Sequence, residues 1–322
     1  MSIFRRIDPL IRLILGMILL ASVLPVTGRG LELAHGVANV AVFMLFFLYG
    51  LRLPRRDVIE GLGDHVFLVP LVFWVFGAMT LAGWIVWKGI AGLAPADVAL
   101  GFLFLGVLPS TVQSATVYSS IAGGNVASSV IAAALLNIAG VFVSAPLFSL
   151  LAGNSEAGLA GDVIVKILVI LLLPFLLGQG LQGFTRSWVQ DHRKLIGLLD
   201  RGVIGLAVYV AFSGAVEQDV WTSVSAKAWA AILAGVAVLL AFAHAGAWTV
   251  GGLVGLAREK RISFLFGGAQ KSIAMGAPLA TVLFPAALAG IVLLPLLAYH
   301  LIQMMVAAVI ASRLNPPSEV AD

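Results

Sequence analysis

Two short polar stretches, set in otherwise apolar sequence, hold the groups that could do chemistry. The first is Leu-Pro-Ser-Thr-Val-Gln-Ser-Ala-Thr at 108–116. The second, at 267–278, reads Gly-Gly-Ala-Gln-Lys-Ser-Ile-Ala-Met-Gly-Ala-Pro. Pro109 has no N–H and so frees a carbonyl one turn earlier, where Ser110, Thr111, Gln113, Ser114 and Thr116 add side-chain polar atoms. In the second stretch Gly267 and Gly268 loosen a helix and Pro278 lacks the N–H a continuous helix uses; Gln270, Lys271 and Ser272 stand between them. Freed carbonyls and hydroxyls coordinate hard cations, while the N–H groups that open a half-helix attract anions. The chemistry implied is ion and anion binding. Bond-making is not, because neither break sets a nucleophile beside a base or pairs an acid with a base. Histidine and carboxylate patterns with metal-ligand spacing are absent from the sequence.

For one such stretch, a proline kink with serines bonding back to their own helix is the plainer explanation. A matching pair, one in each half of the chain, points to a shared binding site instead. Gln113 and Gln270 are expected to act together in it. Lys271 falls near the middle of a bilayer-length segment, where a charge costs at least about 2.5 kcal/mol. Broken backbone survives at that depth only where protein or a water-filled cavity surrounds it.

Other polar residues lie close by in sequence. Asn125 ends an Ala-Gly-Gly-Asn turn and either caps the next helix or joins the site. Ser129 and Asn137 follow on that helix, and Asn137 needs a partner at its depth. His244 and His300 lie deep in apolar spans, where a histidine relays protons or, more commonly, bonds a neighbouring helix. Glycines at 77, 83, 101, 106, 140, 246, 251 and 252 are read as close helix-packing positions.

The elements that must position these groups follow from composition. Of 322 residues, 61% are hydrophobic and 11% charged, more apolar surface than a soluble fold can hide. The class is an all-α polytopic membrane protein. A net charge of +4 does not imply nucleic acid, because the basic residues sit in short loops rather than in one patch. Cysteine is absent, which excludes disulfides and thiolate sites. Ile3–Val26 reads as a first transmembrane helix rather than a signal peptide.

Ten apolar runs are predicted: 10–26, 33–51, 66–87, 98–122, 126–151, 161–182, 201–216, 227–255, 262–284 and 286–312. With the N-terminus in the cytoplasm, about fourteen basic residues face inward and about four outward. Arg5, Arg6, Arg52, Arg55, Arg56, Lys194 and Arg201 belong to the inner set. Both termini are therefore expected on the cytoplasmic side of the cytoplasmic membrane. The polar joint at 153–161 divides the chain into repeats at 1–152 and 162–322. Five spans each is an odd number, so the halves would form a 5+5 inverted repeat, Gln113-Ser114 falling on Gln270-Lys271 after a shift of about 157 residues.

Pro-Ser-Thr-Val-Gln-Ser at 109–114, Ala-Gly-Gly-Asn-Val-Ala at 122–127 and Gln-Lys-Ser at 270–272 resemble the bile acid:sodium symporter superfamily, most closely its SBF-like branch. The resemblance covers essentially the whole chain. It implies a core domain (about 66–152 plus 227–312) beside a panel domain (about 8–52 plus 161–216), with two discontinuous helices crossing in the core. It implies alternating access and a substrate cleft between the domains. Its sodium ligands carry over to Ser114, Ser129 and Gln270. Ala115 and Ala133 replace two others, and the ninth span lacks the family's glutamate.

The expected function is secondary transport of a small or amphipathic organic anion across the lipid bilayer, with Na+ or H+ as coupling ion. Ser110, Thr111, Gln113, Ser114, Gln270, Lys271 and Ser272 would line the crossing, and Lys271 would supply the positive charge that sodium supplies elsewhere in the family, linking proton and substrate binding, or else hydrogen-bond freed carbonyls and only hold the break in shape. The rivals are a sodium-coupled symporter of bile-acid-like anions and a non-transporting membrane regulator acting through partners such as calcium-handling proteins. No enzymatic role is expected.

Overall fold

The structure, a computed structural model, describes residues 9–52, 63–153, 165–219 and 224–314. Apart from Gly153, the expected joint lies outside these residues, as do Arg5, Arg6, Arg55 and Arg56 of the inner basic set. The chain folds into helices α1 (Pro9–Val23), α2 (Gly28–Arg52), α3 (His65–Gly89), the pair α4a (Ala96–Val107) and α4b (Val112–Ile121), and α5 (Val126–Ala152). The second half supplies α6 (Leu168–Asp191), α7 (Arg193–Glu217), α8 (Ala226–Leu253), the pair α9a (Arg258–Ala269) and α9b (Ile273–Leu283), and α10 (Ala286–Leu314). No strand occurs among the described residues.

Seven helices are long and apolar enough to cross a membrane, and the α4a–α4b pair, bent by 61°, makes an eighth. Of the remaining segments, α1 is only 15 residues long, and α9a opens on four charged residues, Arg258 to Arg261. Large apolar side chains such as Leu19, Phe73, Leu150, Phe184 and Leu253 stand exposed, as a lipid-facing surface requires.

The helices pack in two groups. α2 lies along α6, and α7 packs on both α1 and α2. In the other group α4a lies against α3 and α10, α8 against α9a, and α4b against α5 and α9a. α7 bridges the groups through α10 and α9b. Phe104, Phe148 and Phe284 meet edge to face, with centroids 5.3–5.8 Å apart, and fasten α4a to α5 and α9b.

Glycine decides how closely helices approach. A Cβ on Gly50 would collide with the Phe175 carbonyl, and one on Gly178 with that of Phe47, so α2 and α6 cross in backbone contact. Neither glycine was selected from the sequence. Seven of the eight glycines that were selected pack tightly; Gly77 is the exception, with nothing within 4 Å. Gly77 belongs instead to a π-helical turn at Trp74–Ala78, one turn after Pro70. Such a wide turn leaves carbonyls available to other partners.

Several boundaries differ from the predicted ones. Gly267 and Gly268 remain helical in α9a, and Pro278 lies inside α9b; the helix breaks at Gln270–Ser272 instead. Glycine there serves packing, since a Cβ on Gly268 would press on the Trp74 ring. The two breaks begin at Leu108 and Gln270, so the expected superposition of Gln113-Ser114 on Gln270-Lys271 fails: Gln113 already belongs to α4b. Finally, α7 starts at Arg193 rather than near residue 201. Its charged first two turns lower the local hydropathy without ending the helix.

Candidate functional site

Backbone supply and demand build the centre of the molecule. At both breaks the chain is extended, with ψ of 147° at Leu108 and 131° at Gln270. Extended chain between two half-helices leaves backbone groups without a helical partner, and the breaks serve each other. Ser272 N donates to Pro109 O at 3.0 Å, and Thr111 Oγ1 donates to Lys271 O at 2.8 Å. From α10, Gln303 completes the second break: its Oε1 accepts from Lys271 N at 2.8 Å, and its Nε2 donates to Lys271 O at 3.0 Å. Tyr299, one turn earlier, donates to Ala269 O at 2.8 Å. Neither residue was singled out from the sequence. A glutamine buried in a long apolar span was the available signal.

Lys271 is completely buried. Its ammonium donates to Leu108 O at 2.7 Å, Gly106 O at 2.8 Å and Val75 O at 3.3 Å. Two of these acceptors close the carbonyl end of α4a, and the third lies in the π-turn of α3. A cation is favoured at the negative end of a helix dipole. Fixed by three carbonyls, Lys271 neutralises the end of one half-helix, but it does not line the open crossing as expected.

The other expected residues divide between cavity and interior. A cavity of about 600 Å³ separates the two helix groups. Thr111, Gln113, Asn137 and Ser272 line it; so do Val130, Ile131, Ala134 and Ile138 of α5, Phe175 of α6, and Ile204 of α7. A second cavity, about 580 Å³, lies on the far side of α4b against α1 and α10; Gln113 and Ser114 line it. The N-termini of α4b and α9b both open on the first cavity. Ser272 caps Met275 N at 3.2 Å, whereas α4b has no side-chain cap. The facing wall carries Tyr49, Arg52, Asp200 and Arg201, none of which was read as part of the site. Asp200 escaped notice because the predicted seventh span began just after it.

Inside the protein, Ser114 Oγ donates to Gln270 Oε1 at 3.0 Å. Asn137 Nδ2 reaches Ser110 O and Ala133 O, both at 2.8 Å, tying α5 to the first break. The hydroxyls of Ser110 and Ser129 and the Gln270 Nε2 are buried with no hydrogen-bond partner among the described residues. Asn125 lies away from the crossing. Its side chain caps α5 through Ser128 N at 2.9 Å, and its backbone is pinned to Glu259 and Ser263 of α9a. His244 bonds its own helix at Leu240 O, 2.9 Å away. His300 Nδ1 lies 2.7 Å from Gln303 Nε2, an amide donor, so that ring nitrogen accepts. Each histidine is thus bonded through Nδ1, and the Nε2 of His244 is buried with no hydrogen-bond partner among the described residues.

Two half-helix pairs in contact through their breaks, beside a cavity lined by their N-termini, are the architecture of a membrane transporter. Sequence comparison agrees: residues 8–316 match the SBF-like CPA transporter family, and the chain belongs to it. Among its relatives, the Pseudomonas aeruginosa protein named "Uncharacterized protein PA2026" is 38% identical over 92% of this chain and 89% of its own length. An Escherichia coli relative, named "Putative symporter YfeH", is 35% identical over 99% of this chain and 96% of its own.

Proposed function

We propose that this family member is a secondary active transporter of an amphipathic organic anion, working by alternating access across the cytoplasmic membrane with both termini in the cytoplasm. In this reading the helices form ten spans in a 5+5 inverted repeat. α1, α2, α6 and α7 act as the panel and the other helices as the core. The cavity of about 600 Å³ between them is the substrate site.

The observation that carries the proposal is the composition of that cavity. One wall presents the uncapped N-terminus of α4b, the N-terminus of α9b and the amide of Gln113. The other presents Arg52 and Arg201, and apolar α5 side chains lie between. Helix N-termini and guanidinium groups suit an anionic head, and the apolar walls suit a hydrophobic body. Arg52 and Arg201 belong to the basic set assigned to the cytoplasmic side, and in this reading the cavity faces inward.

Lys271 serves in this proposal as a tethered cation. It brings a positive charge to carbonyls at the crossing, where a symporter can use a metal ion. A sodium ion near Ser114, Ser129 and Gln270 would find three neutral side-chain oxygens and no carboxylate, with Gln270 Oε1 already accepting from Ser114. Transport without sodium follows.

Uptake into proteoliposomes across a panel of sulfonated, sulfated and carboxylated amphiphiles tests both parts. At least one anion should accumulate, and removing the sodium gradient should leave its rate unchanged. Absence of uptake across the panel contradicts the transport reading; strict dependence on sodium contradicts the tethered cation.

A further inference from the structure

On the cavity wall opposite the half-helices, Arg52 and Arg201 stand with a carboxylate, Asp200, that has no part in anion binding as described above. Arg52 closes α2 and forms an ion pair with Asp200, two turns into α7. Arg201 is next in sequence and Tyr49 lies one turn before Arg52; all four line the cavity. One Asp200 oxygen accepts from Arg52 Nη1, while Oδ1 is buried with no hydrogen-bond partner among the described residues. The Arg52 side chain is 34% exposed and so remains within reach of an incoming ligand. Apart from Arg201, the other residues lining the cavity, among them Leu10, Thr111, Gln113, Asn137, Phe175 and Ser272, carry no charge. Among the described lining residues, Tyr49 is the other side chain able to lose a proton.

An anion entering this cavity therefore competes with Asp200 for Arg52. If it wins, a carboxylate loses its partner in a poorly hydrated wall, and such a group takes up a proton. We propose that Asp200 is the proton-coupling residue of transport, displaced from Arg52 by the substrate anion and protonated as the anion binds. The proposal rests on the anion-transport reading above.

The balance is simple. The ion pair between Arg52 and Asp200 breaks, and one between Arg52 and the anion forms. A proton from water on the side the cavity faces makes an O–H bond with the Asp200 carboxyl. For a monoanion, the loaded cavity then has the same net charge as the empty one and can close without carrying an uncompensated charge into the membrane. On the other side the anion leaves, the proton follows, and Asp200 returns to Arg52. Lys271 is unsuited to this part, because it is completely buried and its ammonium is held by three carbonyls.

Infrared difference spectroscopy at neutral pH reads the proton directly. Arg52→Gln removes the partner as the substrate would, and a protonated carboxyl band should appear that is missing from Arg52→Gln/Asp200→Asn. In the native protein the same band should appear only when taurocholate, used as a probe amphipathic anion, is bound. Silence in Arg52→Gln overturns the proposal whatever the transport assays give. So does bound taurocholate without the band. A band in Arg52→Gln, together with no uptake of any anion, keeps Asp200 as a proton site and removes the anion reading instead. If Arg52→Gln does not fold, calorimetric titration of taurocholate in two buffers of different ionisation heat decides. About one proton should be taken up per anion bound by the native chain and none by Asp200→Asn; equal uptake by both refutes the assignment.

Discussion

The two breaks are built from similar residues and treated in opposite ways. At the first, Thr111, Val112 and Gln113 open on the cavity, and the helix that follows has no side-chain cap. At the second, Gln270 and Lys271 are fully buried, and Gln303 and Thr111 satisfy the Lys271 peptide. Only Ser272 and Ala274 of that region reach the cavity. A broken helix creates unpaired groups at both of its ends. Here the carbonyl ends are consumed by the protein, whereas both N-termini open on the cavity and that of α4b has no side-chain cap. Polar residues at a break are thus of two kinds, and residue type alone does not tell them apart.

Substitutions can break this contrast, and the largest effect is expected on the sealed side. Lys271→Met leaves two buried α4a carbonyls and one α3 carbonyl without their charged donor. A loss of at least about 3 kcal/mol is expected, read as a fall in the melting temperature of the detergent-solubilised protein. Lys271→Ala also leaves space for an ion; if the ammonium stands in for a metal, sodium chloride should recover part of the lost stability there, and potassium chloride less.

Gln303→Leu removes both bonds to the Lys271 peptide and should cost about 2 kcal/mol of stability. The loss in Gln303→Leu/Thr111→Val should differ from the sum of the two single losses, because both side chains serve the same Lys271 carbonyl. Strict additivity would separate the two bonds energetically.

On the open side the expectation reverses. Gln113→Ala should leave the melting temperature nearly unchanged and weaken anion binding about tenfold, close to 1.4 kcal/mol. Coupling between Gln113 and Gln270, expected from the sequence, now belongs to Ser114 and Gln270, which share a hydrogen bond. A double-mutant cycle on binding should find interaction for the second pair and near-additivity for the first. The reverse pattern would mean that both glutamines contact the ligand.

The smallest perturbation tests orientation. In this cysteine-free chain, Lys194→Cys should react with an impermeant thiol reagent from the cytoplasmic side, and Lys227→Cys from the outside. Neither change should alter stability measurably.

By itself the sequence determined the membrane class and the first break, at Pro109, because hydropathy and proline act locally; the second it placed only within 267–278, where the chain breaks at Gln270–Ser272 rather than at the glycines or Pro278. It also marked most of the glycines at which helices touch, as at Gly83 and Gly106, where a Cβ on either would press on the other's helix. Tertiary structure decided which side of each break faces a cavity. The direction of Lys271 depends on carbonyls freed by Leu108 and by a π-turn in α3, nearly two hundred residues away in sequence at Val75. Gln303 became a backbone partner only because α10 lies along the second break, and Asp200 entered the cavity only because α7 begins two turns before its apolar part. Hydropathy is a property of neighbours in the chain, whereas a hydrogen bond depends on neighbours in space, and a broken helix draws nearly all of its partners from the second kind.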